Sequence, residues 1–236
     1  MQLTMGNFFR KHSADRRILV GFLVLAVVAF GLAKLASEVM EGDFYAFDRW
    51  LLEGLRRVDN RSVPLGPHWL GHAMIDITAL GGVTVLAIVT ALATGYLMAR
   101  RRTAMGLFVA GAIVSGGAMS TLLKLIFARQ RPDLVPHLID VRSLSFPSGH
   151  AMNSAIVYLT LGALLARVEK RASVRVYLLS AAITLTLIIG FSRVYLGVHW
   201  PSDVIAGWCV GATWAVLSSL AARALQQRRA IDATGA

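Results

Sequence analysis

AMGLFVAGAIVSGGAMSTLLKLIFARQRP, residues 104–132, carries no charge over its first twenty positions. An uncharged apolar run of that length matches the roughly 20 residues an α-helix needs to cross the hydrocarbon core of a bilayer. Charge then returns as Lys124, Arg129 and Arg131, immediately before Pro132. The stretch reads as a membrane span that ends in a basic, proline-stopped mouth.

The rest of the chain has the same character. Hydrophobic residues make up 56% of its 236 residues and charged residues 16%, with a mean hydropathy of +0.62. These values lie outside the soluble globular range. Six apolar blocks are long enough to span: 17–36, 71–99, 104–128, 149–168, 174–192 and 203–224. The expected fold class is therefore all-α, a polytopic six-helix membrane bundle. His72 and Asp76 near the start of the second block place that end in the interface. The expected organisation is a basic N-terminus (1–16), one membrane domain (17–224) and a short tail (225–236). The run Ile18–Leu35 is long for a signal peptide and lacks a small-residue cleavage site, so it reads as a retained span.

The net charge of +11 is distributed as flanks rather than as a nucleic-acid-binding stripe. Arg10, Lys11, Arg16 and Arg17, then Arg100–Arg102, then Arg167, Lys170, Arg171 and Arg175, then Arg223, Arg228 and Arg229 border apolar blocks. With six spans these clusters all fall on the side of the termini, which the positive-inside rule makes cytoplasmic. No nucleic-acid partner is expected. Cys209, the single cysteine, reads as a packing residue.

Between the first two spans, Phe44, Phe47, Leu51, Leu55 and Val58 alternate at helical spacing with Asp48, Glu53, Arg56 and Arg57. This pattern predicts an amphipathic helix in the outer interface, capping the bundle. Small residues four apart (Gly106 and Ala110, Gly111 and Ser115, Gly207 and Gly211) allow close helix approach. Packing within one bundle accounts for them, and the expected assembly is a monomer or weak homodimer.

Three polar islands interrupt the apolar blocks. The first runs from Lys124 to Arg131-Pro132, the second is Pro147-Ser148-Gly149-His150, and the third holds Ser192-Arg193, His199 and Asp203. The connections after the third and fifth spans lie on the same side, opposite the termini, so all three islands can meet at one external face. Lys124 and Arg131 are seven apart, which would put them on one helix face. A lysine supplies a point charge and an arginine a planar fork for phosphate oxygens. Arg129 reads as a solvated flank. Pro-Ser-Gly opens a helix whose free N–H groups favour an anion, with Ser148 at the N-cap and no side chain at Gly149. His199 suits attack on phosphorus if its other nitrogen donates to a carboxylate, which Asp203 can provide. Asp203 also suits a helix start electrostatically.

These residues resemble the type-2 phosphatidic acid phosphatase superfamily, the integral-membrane lipid phosphate phosphatases, whose three motifs are matched at every defining position between about residues 80 and 224. The resemblance implies His199 as nucleophile, Asp203 as its orienter and His150 as general acid. It implies a phosphate cradle of Lys124, Arg131 and Arg193, helped by Ser148 and the Gly149 amide. It further implies a lipid phosphate substrate embedded in the bilayer, a phosphohistidine intermediate and no cofactor or metal. Substrates of the undecaprenyl diphosphate, phosphatidic acid, phosphatidylglycerol phosphate or lipid A type all fit, in a bacterial inner membrane.

Two other readings compete. His68, His72 and Asp76 recur four apart and could share a face as metal ligands. Alternatively, Lys124, Asp76 and Arg193 could line a transport path, although this leaves the two histidines and the helix-start anion site without a purpose.

Overall fold

A backbone inside lipid has no water to satisfy its N–H and C=O groups, so each apolar block must close its own hydrogen bonds as a helix. The computed structural model describes residues 26–27 and 30–234, and its regular structure follows this rule. The helices are α1 (30–41), α2 (Tyr45–Gly54), α3 (His68–Ala79), α4 (Val83–Ala99), α5 (Thr103–Phe127), α6 (Gly149–Val168), α7 (Ala172–Tyr195) and α8 (Pro201–Thr234). Among the described residues there is no strand, only an isolated bridge between Arg56 and Pro64. Four helices, α5, α6, α7 and α8 as far as Gln226, are long and apolar enough to cross a membrane, and α3 with α4 would make a fifth only if the bent pair counts as one span. Most of the predicted first span, and the basic N-terminus before it, lie outside the described residues.

The block expected to form one helix over 71–99 is instead two, bent by 47° at a break. Two consecutive glycines explain the site of the break. A Cβ on Gly81 would sit 2.5 Å from Ile189 Cγ2 and 3.2 Å from His150 Cδ2. Only a bare Cα lets the chain pass that close to α6 and α7. Gly82 then takes an extended conformation and starts α4. Tyr158 Oη donates to the Leu80 carbonyl at 2.8 Å, satisfying an acceptor at the break. Tyr158 lies in a π-helical turn of α6, Ala155–Leu159.

Close packing of α6 on α8 sets the geometry of the site. A Cβ on Gly207 would meet the Ser148 carbonyl at 2.8 Å, and one on Gly211 the Met152 carbonyl at 2.5 Å. Gly106 likewise faces the Thr94 carbonyl on α4 at 3.2 Å. All three are used inside the bundle, and Gly207 with Gly211 brings the start of α6 beside the start of α8.

A helix, α2, forms between the first two predicted spans, and the polar residues of this segment divide between the bundle and the surface. Asp48 and Leu52 have no exposed surface and Arg56 keeps 2%, whereas Phe47 and Trp50 are exposed. Asp48 and Arg56 turn into the mouth of the bundle, Arg57 stays exposed, and Phe47 and Trp50 turn outward, as suits a membrane interface. Arg56 Nη1 donates to the Tyr195 carbonyl at 2.9 Å. Beneath it Gly197 has φ +76°, and a Cβ there would lie 2.8 Å from Arg56 Nη2. Both the left-handed turn and the contact demand glycine.

Gly211→Leu is expected to destabilise the bundle by about 1–3 kcal/mol, the scale of core overpacking, and to lower the melting temperature in detergent. Gly71→Leu, at a position with nothing within 4 Å, is expected to leave it unchanged.

Candidate active site

All three islands meet at one end of the bundle, but they are assembled differently from the simple helical expectation. Helix α5 stops at Phe127 because Ala128 adopts a left-handed conformation, φ 46°, with its N–H on the Lys124 carbonyl. Lys124 therefore remains on the helix, while Arg131 reaches the site from the following loop. The two do not share a helix face. The loop folds back over the mouth, held by Ser145 N–H on the Arg129 carbonyl (2.9 Å) and Leu138 N–H on the Leu196 carbonyl (3.0 Å). Lys124 Nζ donates to the Leu144 carbonyl at 2.6 Å.

Helix α8 begins with Trp200-Pro201-Ser202-Asp203. Proline suits the first helical position, where its missing N–H is not needed. Asp203 reaches back to accept the Trp200 N–H at 3.0 Å, the half of a capping box that an acidic third residue supplies. The same Oδ2 accepts from Ser145 Oγ and lies 3.5 Å from His199 Nδ1. Ser145 Oγ is also 3.3 Å from that Nδ1. On the other side of the ring, Arg131 Nη1 is 3.3 Å from His199 Nε2. A guanidinium can only donate, so Nε2 must present its lone pair and the ring proton belongs on Nδ1, toward Ser145 and Asp203. The surrounding donors thus assign the tautomer in which Nε2 is the free base.

Arg131 is held in place by Nε on the Ser143 carbonyl (2.6 Å), Nη2 on Ser143 Oγ (3.0 Å) and Nη1 on the Val198 carbonyl. Arg193, at the end of α7 and 2% exposed, donates from Nη1 to Thr78 Oγ1 at 2.9 Å, and its Nε has no partner among the described residues. Ser148 occupies the N-cap of α6, as the sequence suggests, but its Oγ caps nothing and is a second buried group without a partner. A Cβ on Gly149 would lie 3.4 Å from Lys124 Cε, so the helix start and the lysine are in contact. His150 follows in the first turn, against Gly81.

The fixed charges are unequally paired. Arg129 bridges two buried carboxylates, with Nη1 2.6 Å from Asp203 Oδ1 and Nη2 3.0 Å from Asp48 Oδ2. Its guanidinium also lies 5.3 Å from the Trp200 ring centroid. Asp48 in turn accepts the Ser202 N–H at 2.8 Å and Ser202 Oγ at 2.6 Å, capping α8 from another helix. The solvated flank expected for Arg129 is therefore corrected: its side chain is 13% exposed and joins α2 to the start of α8. Sequence reading missed Arg129, Asp48, Ser145 and Ser202. The available signal was an acidic residue on a helix bordering lipid, where a carboxylate is expensive unless it turns inward to a partner. By contrast Lys124, Arg131 and Arg193 bond only to carbonyls, hydroxyls and the His199 ring.

These charges act on His199. Burial first, then Arg131, Arg193, Lys124 and the neighbouring His150, hold its imidazole well below the usual range, so it is neutral at physiological pH. His68 and His72 lie near the start of α3 with ring centroids 5.3 Å apart and planes tilted by 52°. Among the described residues no three metal-ligating side chains of His, Cys, Asp or Glu come together.

Arg129→Met would leave Asp48 and Asp203 buried without their shared cation. It is expected to destabilise by about 3–5 kcal/mol, the scale for breaking a buried pair, with Arg129→Lys retaining part of the loss; thermal melting in detergent checks this. The folded state keeps His199 neutral, so unfolding takes up a proton once pH falls below the ordinary imidazole value of about 6.5. Stability from this group is complete above that value and lost as pH falls toward the depressed folded value. Melting temperature should drop between about pH 7 and about pH 5, and drop less in His199→Phe. Equal drops would contradict the neutral assignment.

Residues 103–227 match the PAP2 superfamily. Phosphatidylglycerophosphatase B of Bacillus subtilis is 32% identical to this chain over 158 residues, which is 65% of the chain and 76% of that protein. Undecaprenyl-diphosphatase of Sulfolobus acidocaldarius is 31% identical over 154 residues, 63% of the chain and 69% of that protein. The crystal structure of a transmembrane PAP2 type phosphatidylglycerolphosphate phosphatase from Bacillus subtilis has the same fold, with a TM-score of 0.73 at 26% identity. The match covers 82% of this chain and 93% of that one. With the family match spanning more than half its length and its polar islands gathered at one mouth, the chain belongs to the PAP2 superfamily and is a membrane phosphatase.

Proposed function

We propose that the protein hydrolyses a phosphate monoester or diphosphate on a lipid, through a phosphohistidine on His199 and without a metal. One observation carries this reading. Three cations with no carboxylate partner surround an imidazole whose Nε2 lone pair is kept free, while its Nδ1 faces Ser145 and Asp203. A phosphate provides the anion those cations lack, and phosphoryl transfer is catalysed chiefly by positioning and charge stabilisation.

In the proposed sequence, His199 Nε2 forms a bond to phosphorus in line with the leaving oxygen. The bond from phosphorus to that oxygen breaks as His150 supplies its proton. Asp203 and Ser145 hold the Nδ1 proton and stabilise the ring as it gains positive charge. Lys124, Arg131, Arg193, Ser148 Oγ and the Gly149 N–H hold the non-bridging oxygens. Water then attacks phosphorus, His150 takes its proton, and the P–N bond breaks to release phosphate and restore His199.

A lipid substrate is supported by the surroundings of the site and by the relatives. A groove of about 570 Å³ between α4, α5 and α6 is lined by Leu86, Thr90, Ile113, Asn153 and Ile156. Asn153 lies one turn along α6 from His150. The relatives' names include undecaprenyl-diphosphatase and phosphatidylglycerophosphatase B, and either class of lipid fits an apolar groove beside a phosphate cradle. Arg100–Arg102 and Lys170-Arg171 lie in connections at the opposite end of the bundle, so the positive-inside rule favours an external site.

The test is phosphate release from undecaprenyl diphosphate, phosphatidic acid, phosphatidylglycerol phosphate and lipid A by purified protein in EDTA. His199→Ala is expected to abolish release. Asp203→Asn and His150→Ala are each expected to lower it about 10²–10⁴-fold, the usual scale of acid–base assistance. Full turnover by His199→Ala, or loss of wild-type turnover in EDTA, would overturn the reading.

A further inference from the structure

At the end of the bundle opposite the site, α6, α7 and α8 enclose a groove of about 770 Å³. Its wall is apolar along most of its length, with Leu179, Ile183 and Leu187 from α7 and Val216 and Leu220 from α8. Three arginines, Arg167, Arg175 and Arg223, line it together, and among the described residues no carboxylate does. Like charges gathered without a counter-ion repel one another unless an anion joins them. Arg167 is the most informative of the three. Its Nη2 donates to the Ser219 carbonyl on α8 at 2.8 Å, which fixes the guanidinium across the helix pair. Its Nε and Nη1 are buried and have no partner among the described residues. Arg175 and Arg223 are exposed and free to turn toward the same point.

The dimensions match one class of occupant. From Arg175 to Leu187 the groove follows α7 for about 18 Å at the α-helical rise of 1.5 Å per residue. A hydrocarbon core is about 30 Å thick, so one leaflet offers about 15 Å. The groove is thus one leaflet deep, cationic where the headgroups lie and apolar toward the bilayer centre. Its volume lies in the range of sites that hold a small molecule. Among the described residues, α1 meets α8 near Ala206, and none of α1 lines this groove.

We infer that this groove binds an anionic phospholipid of the leaflet opposite the catalytic mouth, its phosphate on Arg167, Arg175 and Arg223 and an acyl chain along α7 and α8. Arg167 supplies a fork already held in place, so little side-chain freedom is lost on binding. Bound there, the lipid would join α6 to α8, the same pair whose other ends carry His150 and Asp203. The site is independent of which lipid is hydrolysed.

The test uses full-length protein, delipidated in detergent and given phosphatidylglycerol or phosphatidylcholine with identical chains, with bound lipid counted by native mass spectrometry. The wild type is expected to retain phosphatidylglycerol about tenfold more than phosphatidylcholine, the scale of one charge-assisted hydrogen bond. Arg167→Gln with Arg223→Gln should bring retention down to the phosphatidylcholine level, whereas Arg193→Gln, at the catalytic mouth, should not. Val216→Trp, which fills the apolar wall and leaves every arginine in place, should lower retention of both lipids and serves if the double variant does not fold. Equal retention of the two lipids by the wild type would overturn the inference, as would undiminished retention by both groove variants. So would loss of binding in Arg193→Gln alone, or a dimer that dissociates on Val216→Trp.

Discussion

Asp203 is a fully buried carboxylate at the edge of a membrane, and nearly everything at this end of the protein exists in relation to it. An ionised carboxylate without partners is untenable there. Its partners come from separate parts of the chain: Arg129 and Ser145 from the loop after α5, and the Trp200 N–H and His199 from the turn before its own helix. Arg129 then brings in Asp48 from α2, and Asp48 holds the start of α8 through Ser202. One buried charge thus ties together three stretches of chain far apart in sequence. Their fixed positions are the scaffold on which the proposed phosphate cradle rests.

The network also divides the cations by role. Arg129 is committed to the two carboxylates and holds structure. Lys124, Arg131 and Arg193 are held by neutral acceptors, which orient them without neutralising them. Burial, reinforced by their field, keeps His199 in the neutral state, and Arg131 on one side with Ser145 and Asp203 on the other fixes which nitrogen is free. Preorganisation of this kind stabilises developing charge without reorganising the site during the reaction. The packing at Gly207 and Gly211 contributes from below by allowing the starts of α6 and α8 to lie side by side.

Much of this was legible from residue order alone. Apolar runs located the spans from α5 to α8 within a few residues, because in lipid length and hydropathy leave a backbone few alternatives. The polar islands were legible because each breaks such a run. What escaped were the features that depend on which way a polar face points. Asp48 and Arg56 were recognisable as part of one polar pattern, but helical periodicity cannot say whether such residues meet water or the mouth of the bundle. Arg129 looked like a flank because arginines commonly border spans, and only Asp48 and Asp203 together give it a buried destination. The break at Gly81-Gly82 was hidden inside an apolar run, since it answers to the side chains of Ile189 and His150 on other helices.

The central claim is that His199 Nε2 forms the bond to phosphorus. The most direct measurement is rapid alkaline quench of the enzyme turning over a phosphate-labelled lipid, followed by mapping of the label on the protein. Phosphate is expected on His199, stable in alkali and lost in acid, accumulating when His150→Ala slows its hydrolysis. Label on Asp203 or His150, or turnover with no labelled protein at any quench time in either enzyme, would contradict it.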